Sequence, residues 1–293
     1  MIAWLSSKRI APYVFMAPAA IFGIGFFAGP LLFAAYISLT NWDAASAPIW
    51  VGLQNYTYLF TQDRFFLTSI GYTFYFATGS VIVGVPSALV VAALINRSRH
   101  QSFWRTIYWL PMITNIVAVA YIWWYILNDT SGILNRALDL LGLPGPNWLT
   151  SPSIAMISVI MVAAWMSIGQ NVLLFLSGLN EIDETYYEAG RLDGANPLQL
   201  FWHVTIPLLR PTILFVLITS LITSLSSFVL MMVLTGGGPA RSTTVTGLYL
   251  YDMAFTDLRL GRASAAAYIL FAIIFLVSLV QLRLLRRGGV EGH

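Results

Sequence analysis

The chain contains no cysteine and little charge. Only 9% of its 293 residues are charged and 58% are hydrophobic, whereas about 25% of residues are charged in soluble domains. The missing cysteines exclude disulfides and thiolate metal sites. Lys8 is the one lysine, and no G-x-x-x-x-G-K-[ST] phosphate loop occurs, so the chain cannot bind ATP in the P-loop manner. The composition therefore indicates an integral membrane protein, and no enzymatic site is expected in it.

Six apolar runs are long enough to cross a bilayer core of about 30 Å, which takes about 20 residues per span. Spans are expected at 14–39, 69–95, 106–128, 154–178, 212–234 and 264–282. None of these runs contains Asp, Glu, Lys, Arg or His. They are too long and uninterrupted for alternating barrel strands, so we expect helices. The predicted fold class is an all-α integral membrane protein with a single domain over residues 1–293.

Basic residues predict the orientation of the chain. The first run has about 26 residues, whereas the apolar core of a signal peptide has about 7–15, so a retained helix is expected. With the N-terminus inside, ten Lys and Arg residues fall on the cytoplasmic side and five on the outer side. Both termini, and the loop 180–211, are therefore expected in the cytoplasm. The pI near 9.2 reflects this bias, and no nucleic-acid partner is needed to explain it.

The loop 180–211 carries an excess of acid. Five of the chain's twelve carboxylates lie there, namely Glu181, Asp183, Glu184, Glu188 and Asp193. Asp183 is expected to cap a helix that runs to Arg191, and the pair Asp193-Gly194 predicts a turn. Asn196 and Gln199 predict a capping box on a second short helix, and Pro207 and Pro211 mark the entry into the fifth span. The residues alone leave open whether this hairpin docks a partner or only links two spans.

A known signature matches the spacing of this hairpin. Glu188-Ala189-Gly190, then Gly194, then Val204-Thr205-Ile206-Pro207 resemble the E-A-A, G, I-x-L-P pattern of ABC importer permeases. Gly190 replaces the usual second alanine and Val204 the usual isoleucine. Three further stretches resemble the maltose- and glycerol-phosphate-type carbohydrate permeases: Leu110–Asn115, Trp165–Asn171 and Leu234–Pro239. The large outer domain of the maltose permease is missing from this chain.

The resemblance implies a type I ABC importer permease fold whose hairpin is seated in a cleft of a cytoplasmic ATPase subunit. The residues that it implies for this coupling contact are Glu184, Glu188, Ala189, Gly190, Asp193, Gly194 and Pro207. ATP and Mg would be bound by the partner ATPase, and no cofactor by this chain. Further implied partners are a homologous second permease, a dimer of ATP-binding subunits, an extracytoplasmic solute-binding protein and membrane lipid. The implied location is the plasma (inner) membrane of a bacterium or archaeon.

Polar residues near the middle of the spans are candidates for the substrate path. They are Asn115, Trp165, Ser167, Gln170, Asn171, Ser220, Thr223, Ser224 and Ser227. Ser220, Ser224 and Ser227 recur at i, i+4 and i+7, which places them on one face of a continuous helix. Hydroxyl and amide groups suit a neutral polyol, and the Trp165 ring could stack on a sugar. The residues alone leave open that these small side chains serve helix packing; the resemblance favours substrate contact for the three serines.

The predicted function is that of a permease subunit of an ATP-driven importer for a sugar or sugar-like solute. Import of glycerol-3-phosphate or glycerophosphodiesters is an alternative, against which the lack of Arg and Lys within the spans argues. A carrier or channel that works alone is an alternative from another class. It is disfavoured because no span holds a carboxylate or histidine that could relay protons. A non-transport scaffold is the remaining alternative.

Overall fold

The computed structural model describes residues 11–96 and 98–287, and this part of the chain is mostly helical. Four of its helices have the length and composition of membrane spans: Pro12–Ser38, Arg64–Asn96, Ala155–Asn180 and Leu260–Arg283. Two bent helix pairs meet the same test, Gln101–Ile113 with Ile116–Ile126 and Pro197–Leu208 with Arg210–Leu225. The described residues thus hold up to six spans, and the all-α membrane class is confirmed.

The elements up to residue 140 are α1 (Ala11–Gly23), a π-helical turn (Ile24–Ala28), α2 (Gly29–Ser38), β1 (Thr40–Asn41), β2 (Ile49–Trp50), α3 (Gln54–Thr61), α4 (Arg64–Asn96), α5 (Gln101–Ile113), α6 (Ile116–Ile126) and α7 (Ile133–Leu140). The elements after it are α8 (Ala155–Asn180), α9 (Glu184–Leu192), α10 (Pro197–Leu200), a π-helical turn (Phe201–Thr205), α11 (Ile206–Leu208), α12 (Arg210–Leu225), α13 (Val229–Leu234), α14 (Thr246–Tyr251), a third π-helical turn (Asp252–Thr256) and α15 (Leu260–Arg287).

These elements form two compact units. Among the described residues, the first combines those up to Arg64 with Leu250–Phe271, and the second combines Phe65–Tyr249 with those from Ala272 onward. The expectation of a single domain over residues 1–293 stays a prediction.

In the first unit, the start of α15 lies directly on the short ladder of β1 and β2. The strands pair antiparallel, with Thr40 opposite Trp50. The Asn55 side chain donates hydrogen bonds to the backbone oxygens of Ser38 and Thr40, at 2.9 and 2.8 Å. A Cβ atom on Gly261 would lie 2.0 Å from the Thr40 oxygen. Glycine is therefore required where α15 begins.

The second unit contains two hydrophobic clusters, and α4 and α8 contribute residues to both. The first cluster joins Phe76 and Val159 to Leu230 and Met231 of α13. The second joins α4 and α8 to Leu209 and to Val216 of α12. Its members on α4 are Val85, Ala88, Ala92 and Ile95, and those on α8 are Val172, Phe175, Leu176 and Leu179. The two clusters fix α4, α8, α12 and α13 against each other.

The third span was expected to be one helix over 106–128, and this is wrong. The chain bends by 96° between α5 and α6. Asn115 caps α6, and its side-chain oxygen accepts a hydrogen bond from the Val117 backbone nitrogen at 2.8 Å. A cap of this kind competes with continued helix, because asparagine satisfies a free helix-end donor best from an extended backbone.

The fifth span was expected as one helix over 212–234, and it is also interrupted. It follows a bend of 69° after α11, α12 ends at Leu225, and α13 begins at Val229. At the break the Ser226 hydroxyl donates to the Ile222 backbone oxygen at 3.0 Å. Such back-bonding by serine offers the backbone an alternative to the regular helical ladder.

Candidate functional site

A cavity of about 270 Å³ lies within the second unit, among α4, α5, α8, α12 and the break that follows α12. Its polar lining consists of Ser80, Thr114, Ser167, Gln170, Asn171, Thr219, Ser220, Thr223, Ser224 and Ser227. Phe76 and Met166 contribute to its apolar lining. No charged side chain is found among the described residues that line it. The cavity therefore offers hydroxyl and amide groups without a fixed charge.

Most of the residues predicted for the substrate path meet in this cavity. Those that line it are Ser167, Gln170, Asn171, Ser220, Thr223, Ser224 and Ser227. Asn115 and Trp165 are not among the lining residues. The Asn115 side chain caps α6, and the Trp165 ring packs edge-on against Trp123, with 5.4 Å between ring centroids.

The three serines do not lie on one helical face as predicted. Ser220 and Ser224 are on α12, but α12 ends at Leu225 and Ser227 lies beyond it. Ser227 still lines the cavity, because the chain turns at the break. The i, i+4, i+7 pattern therefore identified three residues that do line the cavity, although the continuous helix that it assumed is interrupted after Leu225.

Two buried polar side chains face the cavity with unused hydrogen-bonding capacity. Asn171 is 4% exposed, and its Oδ1 accepts a hydrogen bond from the Ser220 hydroxyl at 3.3 Å. The Nδ2 of Asn171 and the hydroxyl oxygen of Ser80 have no hydrogen-bond partner among the described residues. A buried polar group without a partner costs about 1–3 kcal/mol, so these atoms are positioned to bond a ligand or water in the cavity.

Ser80, Thr114 and Thr219 line the cavity but were not predicted from the sequence. Ser80 lies about twelve residues into the run 69–95, so the search for mid-span polar residues could have found it. Thr114 reaches the cavity because the chain bends at this residue. That position carries no signal in the sequence beyond the neighbouring Asn115.

The acidic loop folds into the predicted hairpin of two short helices. The Asp183 carboxylate caps α9 by accepting hydrogen bonds from the Thr185 backbone nitrogen and hydroxyl, both at 2.9 Å. These two bonds lower the pKa of Asp183 below its ordinary value. Asn196 and Gln199 form the predicted capping box on α10. Both helix starts were therefore predicted correctly from local residues.

Close packing between the two arms makes the hairpin compact. The buried Tyr187 hydroxyl lies 3.1 Å from the Thr205 hydroxyl oxygen. A Cβ atom on Gly190 would lie 2.5 Å from a Leu200 methyl group, and Gly194 has a φ of +81° in the turn. Glycine at 190 thus lets α10 approach α9, and glycine at 194 allows the left-handed turn.

The exposed surface of the hairpin combines acidic side chains with large apolar ones. Arg191 donates a hydrogen bond to Glu184 at 2.9 Å, whereas Glu188 is exposed and has no ion-pair partner in the described ranges. Ala189 and Asp193 are exposed as well. Tyr186 and Leu192 are 55% and 89% exposed. Pro207 lies in α11, immediately before the bend that leads into α12.

The hairpin, and the lining residues of the cavity from Val85 onward, fall in a stretch that matches one family. Residues 84–288 match the family described as binding-protein-dependent transport system inner membrane component. The chain belongs to this family. It is a translocation subunit of an ABC importer, a multi-pass inner membrane protein and not an enzyme. Over residues 11–96 and 98–287, no group of three or more His, Asp or Glu residues is placed to hold a metal ion.

Individual relatives of the permease match it along nearly its whole length. It is 32% identical over 293 residues to the probable ABC transporter permease protein YurN of Bacillus subtilis, covering 98% of this chain and 100% of the relative. It is 32% identical over 280 residues to the multiple sugar-binding transport system permease protein MsmF of Streptococcus mutans, covering 95% and 96%.

The fold of the permease is that of a solved importer. The crystal structure of a bacterial alginate ABC transporter in complex with an alginate pentasaccharide-bound periplasmic protein contains a chain that superposes with a TM-score of 0.84. The two chains are 23% identical, and the match covers 100% of each. The type I importer fold implied by the sequence resemblance is consistent with this likeness.

Proposed function

We propose that the permease passes a neutral carbohydrate or carbohydrate-like solute and that the cavity on α8 and α12 forms its part of the solute path. The observation that carries this proposal is the lining of the cavity, which is rich in serine, threonine, asparagine and glutamine and has no charged residue among those described. Each sugar hydroxyl both donates and accepts hydrogen bonds, as do the side chains of this lining. The sugar-transport name of the MsmF relative supports the same solute class.

The unused polar atoms of the cavity fit this solute better than an anionic one. A neutral polyol can accept from the Asn171 Nδ2 and exchange a hydrogen bond with the Ser80 hydroxyl. A phosphate group would be buried without a counter-charge from this subunit, which is costly. Glycerol-3-phosphate is therefore the less favoured solute.

The hairpin of α9 and α10 serves in this proposal as the coupling element for an ATPase subunit. Its exposed Tyr186 and Leu192 offer apolar anchors, and the unpaired Glu188 offers a carboxylate for a basic residue of the partner. Large apolar side chains with one well-placed charge are typical of the centre of protein interfaces. ATP and Mg would be bound by that partner.

The proposed assembly contains a second homologous permease, two ATP-binding subunits and an extracytoplasmic solute-binding protein. The bias of basic residues supports a cytoplasmic location of both termini and of the hairpin. ATP-driven closure of the ATPase subunits would move the two hairpins and switch the spans between inward- and outward-facing states. Net transport requires that the solute binds these states with different affinity.

The proposal is tested by uptake into vesicles that contain the complete complex. Ser227 lines the cavity, whereas the neighbouring Ser226 is exposed and bonds to its own helix. We expect Ser227→Leu to reduce sugar uptake and sugar-stimulated ATP hydrolysis at least about tenfold, because a leucine fills the cavity and removes a hydroxyl. Ser226→Leu should have little effect. Equal uptake by the two variants would show that the cavity is not on the solute path.

A second measurement separates this function from that of a stand-alone carrier. The chain reconstituted without partners should accumulate no labelled sugar under a proton or sodium gradient. Accumulation under either gradient would favour the carrier. In the complete complex, saturation by glycerol-3-phosphate and not by neutral sugars would reassign the solute class.

A further inference from the structure

A second cavity, of about 200 Å³, lies in the first unit and differs chemically from the first one. It is lined by Asn41, Trp42, Arg259, Gly261 and Arg262, and we refer to it as the arginine cavity. Arg259 immediately precedes α15, Arg262 lies in its first turn, and both side chains line this cavity. The proposed solute path does not use this cavity.

Neither arginine has a carboxylate partner within the described ranges. The Arg262 guanidinium lies 3.8 Å from the centre of the Tyr58 ring, a contact that fixes its position but leaves its charge uncompensated by an anion. Arg259 is exposed, and its backbone nitrogen donates to the Met253 oxygen at 2.9 Å. The Asp43 carboxylate, which follows Trp42 in the chain, is engaged elsewhere. It accepts hydrogen bonds from the backbone nitrogen and hydroxyl of Ser46 and from the Ala45 backbone nitrogen.

The positions of the two arginines are electrostatically unfavourable unless an anion is bound. The start of a helix carries a partial positive charge, and cations there are disfavoured. Two like charges that line one cavity repel each other as well. Here both effects add at α15, a helix of 28 residues. An anion in the arginine cavity would relieve both, and arginine is well suited to phosphate because its planar fork forms two parallel hydrogen bonds.

The location of the cavity indicates where the anion comes from. One membrane-length helix ends at Ser38, and another begins at Leu260. The arginine cavity lies between these two ends and is therefore at the level of the lipid headgroups of one leaflet. Trp42 packs edge-on against Phe33, with 6.0 Å between ring centroids, and tryptophan prefers this level of the bilayer.

An apolar surface continues from the cavity along the membrane helix. Leu32, Phe33 and Tyr36 of α2 are 69%, 55% and 47% exposed. Acyl chains can lie on this surface while a headgroup reaches the arginines. We propose that the arginine cavity binds the phosphate of a phospholipid, with the acyl chains along α2.

The test uses the purified transporter complex in detergent and counts retained lipids by native mass spectrometry. The probes are dioleoyl-phosphatidylglycerol, dioleoylglycerol, which has the same chains without phosphate, and inorganic phosphate. We expect the phospholipid to bind, and the phosphate-free lipid and the free phosphate to bind at least about tenfold more weakly. Phosphate that binds as tightly as the phospholipid would overturn the lipid assignment, because the acyl chains would then contribute nothing.

Substitutions of the two arginines test whether the phospholipid binds at the arginine cavity. Arg259→Gln with Arg262→Gln should weaken phospholipid binding about tenfold or more. Arg136→Gln, which removes an exposed arginine on α7, should leave it unchanged. If the double variant does not fold, Arg259→Gln alone, which disturbs no ring contact, should still weaken binding severalfold. Unchanged lipid retention by these variants would overturn the proposal, and a simultaneous loss of binding-protein docking would assign the arginines to a protein partner.

Discussion

The Ser220 hydroxyl and the Asn171 side-chain oxygen lie 3.3 Å apart and join α12 to α8 at the wall of the cavity. This bond uses the acceptor of the asparagine and orients its Nδ2 donor, which has no hydrogen-bond partner among the described residues. The hydrogen bond between Ser220 and Asn171 thus orients the Asn171 Nδ2 donor, which is available to bond a solute.

Replacement of Asn171 tests this arrangement. Asn171→Leu removes the free donor and leaves the Ser220 hydroxyl without its partner, so we expect sugar uptake to fall about tenfold or more. Basal ATP hydrolysis by the complex should remain, because the hairpin is not altered. Uptake and ATP hydrolysis are measured in the same vesicles, and an unchanged half-saturating sugar concentration would contradict the role of Asn171.

Charge reversal on the hairpin tests the coupling contact. Glu188→Lys is expected to release the ATPase subunit from the purified complex and to abolish uptake, since a mismatched charge at a protein interface costs several kcal/mol. Asp139→Lys makes the same change at an exposed acid of α7 and is expected to have no effect. Co-purification quantifies the outcome. Normal ATPase binding by Glu188→Lys would remove Glu188 from the interface.

Replacement of Gly169 tests the close packing of α5 against α8. A Cβ atom there would lie 2.0 Å from the Tyr108 backbone oxygen, and a backbone atom cannot rotate away. Gly169→Ala is therefore expected to destabilise the protein by about 1–3 kcal/mol. Gly71→Ala is the matched control, because no atom lies within 4 Å of its Cβ position. Thermal unfolding in detergent compares the two, and equal midpoints would show that α5 is not packed so closely.

The stability of helix α9 in the hairpin depends on pH through the Asp183 carboxylate. The two Thr185 hydrogen bonds lower its pKa below the ordinary 3.8. Its contribution to helix α9 is therefore complete above the ordinary value and is lost only as the pH falls through the lower folded value. We expect Asp183→Ala to speed amide exchange in α9 equally at pH 7 and pH 5, after correction for intrinsic rates, and Asp183→Asn to retain most of the cap. A difference that disappears by pH 5 would contradict the lowered pKa.

The helix caps of the hairpin could be predicted from its residues. Asp183, Asn196 and Gln199 form the predicted caps because each bond joins atoms within three positions along the chain. The polarity of Ser167, Gln170 and Asn171 within an apolar run likewise pointed to the cavity. Ser80 was missed although the same criterion applies to it.

The bends within the membrane spans could not be predicted from the sequence in this way. Hydropathy reports whether a segment is apolar enough for a membrane, and the segments on both sides of Asn115 and of Ser226 are apolar. Whether the helix continues there depends on competition between the regular ladder and local caps, and on the packing available to each half. The bend before α6 brings Thr114 to the cavity and removes Asn115 from its lining.

The sequence by itself determined that the chain is an all-α membrane protein with an acidic hairpin, because apolar length, missing charge and capping residues are local properties. Tertiary structure decided which polar residues share a cavity, since that depends on where α4, α8 and α12 approach each other. It also placed Asn41 and Trp42 beside Arg259 and Arg262. These residues are more than two hundred positions apart, and only the packing of α15 on β1 brings their side chains to one cavity.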